Sequence, residues 1–378
     1  MIDRSADAAT ANARLIAFYL PQFHPIPEND EWWGKGFTEW TNVANARPLF
    51  RGHCQPNVPA DLGFYDLRLP EARIAQAEMA RGYGIEGFCY WHYWFNGKRL
   101  LERPLDEVLK SGEPHFPFCL GWANDSWTGI WHGCPDRVLM EQTYPGPRDE
   151  EDHFNALLPA FTDPRYITVD GRPLLLIYKP YRLPESKRFI DHWQKLAIKA
   201  GLKGIYFVAN VNSMQWPAKE AGFDALVPHN PGITTHYYFN SPPTFADKLF
   251  HRFTGKTVKE LTRHFFPRVD AMPYEQYIRK ALPELPQALD SFPCVVPNWD
   301  NTPRCGVKGY VLEGSSPELF KRHLGDAVRQ LEGRDYDKKV IFLKSWNEWA
   351  EGNYLEPDLR FGRRYLEVCR EVVCLNGC

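Results

Sequence analysis

The chain has 378 residues, 44% hydrophobic and 24% charged, with a formal net charge of -2. That composition excludes a disordered, collagen-like or coiled-coil protein, and near-neutral charge excludes a global electrostatic affinity for nucleic acid. The surplus lies in the aromatics, 15% of the residues with 13 Trp among them, and in 32 Pro.

No run of 18 or more apolar residues is present to span a membrane. The opening residues, MIDRSADAATANAR, carry no apolar stretch of the kind a secretory signal needs. The nine cysteines show no CxxC or zinc-type spacing. Together these features predict reduced thiols in a cytoplasmic protein.

Eight apolar runs of strand length follow in order: Arg14 to Leu20, Ile85 to Trp91, Phe116 to Trp122, Pro173 to Tyr178, Gly204 to Asn210, Phe223 to Pro228, Phe292 to Pro297 and Val340 to Trp346. They read as continuous rather than alternating hydrophobic stretches, as parallel strands covered on both faces do. Helical segments lie between them, among them Leu69 to Arg81, Glu185 to Ala200 and Ser316 to Leu331, the last with Ser as cap and Pro at its first position. Strand then helix, eight times, predicts an α/β fold, a (β/α)8 TIM barrel with long loops at the C-terminal face of the strands. An open doubly wound sheet would be expected to carry a Gly-rich phosphate loop after its first strand, and none follows here. One domain is expected over 1–378, with the barrel at about 13–372 and insertions at 21–66 and 236–270.

The first insertion, rich in Pro, Trp and Asn, is expected to fold over the barrel mouth. The second sets Lys248, Arg252, Lys256, Lys259, Arg263 and Arg268 among Leu and Phe residues, against Asp247 and Glu260. It fits either a basic amphipathic segment in peripheral contact with the inner membrane or another anionic surface, or a solvated flap.

Polar and aromatic residues gather where the strands end, which is where barrel enzymes build their sites. Glu348 and Glu351 follow the last strand three positions apart, a spacing that places them on opposite faces of a strand. Both reach one pocket only if the chain turns after Trp346, and Gly352 eases such a turn. Two carboxylates there suit glycosidic chemistry; a pair of loop acids capping a helix or bridging to Arg360 or Arg363 reads equally well. Asn124 and Asp125 stand between Trp122 and Trp127, an arrangement that can bind vicinal hydroxyls under stacked rings, or form an Asx turn with packed Trp. Asp300 beside Trp299 repeats the pattern. His24 and His92 orient a hydroxyl or carboxylate, or are satisfied core groups. Glu39, in the lid-like first loop, is placed to touch substrate. No metal spacing such as HExxH, no GxSxG and no P-loop is present, so no metal or other cofactor is expected.

Long motifs then match a known family in order: Ala17 to Asp30 (AFYLPQFHPIPEND), Trp32 to Trp40 (WWGKGFTEW), Ala60 to Asp66 (ADLGFYD), Tyr83 to Tyr90 (YGIEGFCY), Trp122-Ala-Asn124, Trp299 to Arg304 (WDNTPR) and Ser345 to Gly352 (SWNEWAEG). From about residue 13 to 372 the chain resembles the WbsX-type family, described both as lipopolysaccharide-biosynthesis glycosyltransferases and as glycoside hydrolase family 99-like. The resemblance implies a (β/α)8 barrel acting with retention on α-mannosides. The hydrolases' Glu-Trp-His-Glu-Gly motif is similar to Glu348 to Gly352, with Ala350 in place of His. By that match Glu348 is the base that helps the sugar's own 2-hydroxyl attack the anomeric carbon. Glu351 is the acid/base on the leaving oxygen and then on water.

The expected function is a carbohydrate-active enzyme acting on mannose- or rhamnose-type α-linkages of a bacterial surface polysaccharide or its precursor. A glycosyltransferase of O-antigen synthesis and a non-catalytic saccharide-binding barrel are the alternatives. The partner is an oligo- or polysaccharide, with neither nucleic acid nor an obligate protein partner. Tyr19, Trp33, Trp40, Tyr90, Trp94, Trp122, Trp127, Trp299, Trp346 and Asn347 complete the expected substrate-binding set, because ten of the 13 Trp fall at strand ends or in the first loop, where they suggest stacking platforms for sugar rings.

Overall fold

A computed structural model of the chain describes residues 11–129, 134–239, 268–286 and 289–374. Nine parallel strands form the central sheet: β1 (Arg14–Tyr19), β2 (Ile85–Phe95), β3 (Phe118–Trp122), β4 (Arg172–Ile177), β5 (Tyr206–Val211), β6 (Ala225–Pro228), β7 (Asp290–Ser291), β8 (Cys294–Val295) and β9 (Val340–Leu343). Their order is β7-β6-β5-β4-β3-β2-β1-β9-β8. Every residue of β1, β3, β5, β6 and β9 is buried, as the continuous apolar runs require of strands covered on both sides.

Where one strand, Phe292 to Pro297, is expected, two short strands stand, β7 just before it and β8 within it, and they pair with opposite ends of the sheet, β6 and β9. Pro293 lies at the split because it has no N–H to give to a ladder. Around it, the Phe292 amide donates to Leu226 O at 2.8 Å and the Pro293 carbonyl accepts from the Phe342 amide at 2.9 Å. One stretch of chain therefore supplies both outer strands of a curled parallel sheet.

Helices α1 (Pro27–Trp33) and α2 (Glu39–Asn45) lie in the first insertion. Helices α3 (Pro70–Gly82), α4 (Arg103–Ser111), α5 (Pro147–Phe161), α6 (Ser186–Lys199), α7 (Pro317–Gln330) and α8 (Arg364–Val373) follow along the chain. Of these, α3 packs on β2, α5 on α6 and α7 on α8. The predicted cap of α7 is present, with the Leu319 amide donating to Ser316 Oγ at 3.3 Å. At its far end β2 folds back as a hairpin onto Lys98–Leu100 through Asn96 and Gly97, both with positive φ, the geometry a two-residue turn of right-twisted strands needs.

Among the described residues no helix is long and apolar enough to cross a membrane. Residues 240–267 lie outside the described residues, and with them Lys248, Arg252, Lys256, Lys259 and Arg263 of the basic segment.

Candidate active site

Beyond β9 the chain makes the turn that both carboxylates need. Trp346 N donates to Phe18 O at 2.7 Å, and the Asn347 amide bridges the backbone of Leu20 through both its oxygen and its nitrogen. Asn347–Glu348 then pairs antiparallel with Asn353–Tyr354 across the short helical turn Trp349–Glu351. Gly352 closes the turn at φ +63°, where a Cβ would stand 2.7 Å from Asp300 N. Only glycine fits there without displacing the Asp300 backbone.

Glu348 and Glu351 thereby line one cavity of about 340 Å³ at the C-terminal ends of the strands. Leu20, Gln22 and Trp33 reach it from β1 and the first insertion, Trp91 and Tyr93 from β2, Asp125 and Trp127 from the loop after β3, Tyr178 from the end of β4 and Lys344 from the end of β9. The Trp91 indole donates to Glu348 Oε1 at 2.9 Å. Arg304, on the one-turn helix Thr302–Cys305, forks between Glu351 Oε1 and Glu39 Oε1, at 2.6 Å each. Asn353 adds a 3.2 Å bond to Glu351 Oε2.

These surroundings separate the two acids. Burial, then the negative charge of Glu351, raises the Glu348 pKa well above the ordinary carboxylate range. Burial acts the same way on Glu351 but is outweighed by the Arg304 guanidinium, by the hydrogen bond from Glu348 and by the nearby Lys344 ammonium, so the Glu351 pKa falls. The surroundings thus favour a proton on Glu348 and the anion on Glu351. Glu39, fully buried, has its pKa raised by burial against the pull of Arg304 and takes a further 3.0 Å bond from Ala350 N.

Of the residues expected to bind substrate, Trp33, Asp125 and Trp127 line this cavity beside the two glutamates, and the others stand elsewhere. Tyr19 and Tyr90 are one position out of phase with Phe18 and Trp91, so alternation turns them to the opposite face of the sheet. There their rings meet at 4.4 Å and the Tyr19 hydroxyl donates to Gln76 of α3 at 2.7 Å. Trp346 is buried against Phe88, and Asn347 serves the turn. Trp40 donates to Tyr65 O at 2.8 Å and packs on Trp349. His24 is buried. His92 meets His153 at 2.9 Å, with Trp94 stacked on the His153 ring and Trp122 against its edge. Burial drives the His92 pKa down to about 3, leaving it neutral.

Asn124 holds the Lys179 backbone and Tyr144, and Asp125 is bound by Lys179 and by Arg182 at 2.6 Å. Asp300 accepts from Gln55 at 2.6 Å and from Thr302 and meets His53 at 2.7 Å, tying the first insertion to the turn that carries Arg304. Trp299 stacks on Tyr310, with the Lys344 ammonium 5.2 Å from its ring centre. Glu39 meets Arg304 rather than the open cavity.

Arg304, Lys344, Gln22, Tyr93 and Tyr178 escaped the sequence reading. Arg304 carried a signal, as the last residue of the WDNTPR motif; a single Lys at a strand end carried none. Among the described residues no group of three or more His, Cys, Asp or Glu is arranged to hold a metal, and Cys54, Cys89, Cys119, Cys294, Cys305 and Cys369 are free thiols.

A curled parallel sheet carries a buried carboxyl pair at its C-terminal edge, and comparison with known proteins narrows the class. The family model for Glycosyltransferase WbsX matches residues 15–369, and the chain belongs to that family. WxcX proteins from two strains of Xanthomonas campestris pv. campestris are 39% identical over 372 residues, 96% of this chain. The chain spans about half the length of these relatives, the match covering 50% of each. In fold it is similar to the GH99 endo-alpha-mannosidase from Bacteroides thetaiotaomicron, with TM-score 0.53, 16% identity and coverage of 95% of this chain and 96% of that one. A glycoside hydrolase-like protein gives TM-score 0.55 at 16% identity, covering 95% and 93%.

Proposed function

We propose that the chain is one domain, a (β/α)8 barrel closed through the β7–β8 segment, that cleaves or transfers an α-linked mannose- or rhamnose-type sugar of a bacterial surface polysaccharide or its precursor with retention. The observation that carries the reading is the convergence of Glu348 and Glu351 on one cavity, where burial raises one pKa and the Arg304 guanidinium lowers the other. Retaining chemistry needs one carboxyl to give a proton and another to take one. The fold shared with an endo-alpha-mannosidase supports the α-mannoside side of the proposal.

These pKa directions favour the proton on Glu348, the reverse of the roles that the family resemblance assigns. The hydrogen bond between the two carboxyls resolves this: as a sugar enters, the proton passes from Glu348 to Glu351. Glu348, now ionised, takes the proton of the sugar 2-hydroxyl while that oxygen bonds to the anomeric carbon. Glu351 protonates the departing oxygen, and water reopens the strained ring with both transfers reversed. In a transferase an acceptor hydroxyl replaces that water.

The test is incubation with α-linked manno- and rhamno-oligosaccharides, and separately with nucleotide sugars, followed by mass spectrometry. Turnover of oligosaccharides is expected, lost by about 10³-fold or more in Glu348→Gln, as general acid–base catalysis of this size predicts. Glu351→Gln should retain substantial activity on aryl glycosides, whose leaving groups need no acid. Product only from a nucleotide donor would overturn cleavage, and full turnover in both variants would overturn the site.

A further inference from the structure

Lys344 is the one cation of this cavity whose charge the described residues leave without an ion pair. Arg304 is matched by Glu351 and Glu39, and Lys179 and Arg182 by Asp125. Lys344 is 7% exposed and its side chain lines the cavity beside Glu348 and Glu351. Among the described residues no carboxylate lies within ion-pair distance of its ammonium, whose recorded contact is the face of Trp299, 5.2 Å from the ring centre. A ring face compensates an ammonium only in part, and a desolvated cation gains most from an anionic oxygen.

The acids nearby do not fill that role: burial disfavours the anion of Glu348, and Glu351 already holds the Arg304 guanidinium. The Lys344 ammonium is thus left lining the cavity with no carboxylate at ion-pair distance among the described residues. A neutral sugar offers it only hydroxyl oxygens.

We propose that the saccharide taken at this site is acidic, and that Lys344 binds its anionic group, a carboxylate or a phosphate, next to the carboxyl pair. This rests on the saccharide reading of the site and names the charge of its substrate. The ammonium lies at the end of β9, a few residues before Glu348, so the charged group belongs to a sugar beside the bond acted upon rather than to a distant part of the polymer.

The test measures binding without turnover. Methyl α-mannopyranoside, its 6-carboxylate (the mannosiduronate) and its 6-phosphate are titrated separately into the full chain and followed by tryptophan fluorescence, since Trp33, Trp91 and Trp127 line the cavity. At least one charged glycoside is expected to bind about tenfold or more tighter than the neutral one, and the stronger of the two identifies the anion. Lys344→Met should abolish that preference, bringing the charged and neutral glycosides to the same affinity, and Lys344→Arg should restore it. Equal affinity for neutral and charged probes, or no binding of the charged probes, would overturn the inference, as would a Lys344→Met variant that weakens all probes alike. If Lys344→Met unfolds, addition of salt to the intact chain is a second readout: it must weaken the charged probes selectively, and an unchanged ratio overturns the proposal. The oligosaccharide turnover assay stands or falls separately, because it needs no charged substrate.

Discussion

Replacing Arg304 by Met removes a guanidinium that makes two 2.6 Å bonds to acids and leaves Glu39 fully buried with the Ala350 amide as its remaining recorded bond. Removing one partner of a buried ion pair costs about 3–5 kcal/mol, because the charge left behind stays desolvated. With an unfolding entropy of roughly 2.1 cal/mol/K per residue, a 378-residue chain has about 0.8 kcal/mol/K, so the melting temperature should fall by about 5 °C. The pH–rate profile moves as well. In the native protein Glu351 is held ionised chiefly by Arg304, against burial, and that anion survives until the pH falls through its lowered pKa. Without the guanidinium that pKa rises by about one to three units, and the acid limb of kcat/KM shifts upward by the same amount. Adding Glu39→Gln should recover a large part of the lost stability, since no buried charge then remains at position 39, but not the acid limb. A variant that melts within about 1 °C of the parent with its acid limb unmoved would refute the assignment of Arg304 as the group that sets the charge of the pair.

Two further outcomes follow from the surroundings of the pair. Burial raises the Glu356 pKa to about 7 despite bonds from Trp349, Gln76 and Tyr65, so between about 4.5 and 7 the native state holds a proton that the unfolded chain has released. Stability must then fall as pH rises through that window, by about 3 kcal/mol for this group, and urea unfolding of Glu356→Gln at pH 5 and pH 8 should show a pH dependence flatter by that amount. Gly352→Ala places a Cβ 2.7 Å from Asp300 N, across the 2.7 Å bond from that amide to Glu351 O. It should lower stability by about 2 kcal/mol and turnover by about tenfold or more, read by melting and kcat.

The acid pair was legible because strand geometry left one way for Glu348 and Glu351 to meet, a turn after Trp346, and Gly352 supplied it. Seven of the eight expected strands carry continuous apolar runs and appear within a few residues of their predicted ends. The remaining one is replaced by two short strands because Pro293 breaks the ladder, which a count of apolar residues does not register. The WDNTPR motif marked Arg304 but not its role: its partner Glu39 is 265 residues away in sequence, and no local pattern connects them. Tyr19 and Tyr90 lie away from the cavity through phase alone, since each neighbours a residue that faces the other side of the sheet.

The aromatic surplus bears on the chemistry by a route other than stacking. Trp33, Trp91 and Trp127 line the cavity, whereas Trp40, Trp94, Trp122, Trp299, Trp346 and Trp349 are packed into the walls and supports around it. Phe18 lies flat on Trp91 at 4.8 Å, and Trp349 flat on Tyr354 at 3.8 Å, so the turn bearing the pair rests on aromatic surface with little room for water. Burial is the largest cause of the raised Glu348 pKa. Packed rings outside the cavity therefore help raise the Glu348 pKa while Arg304 sets the two acids apart, and thinning those rings would lower the Glu348 pKa.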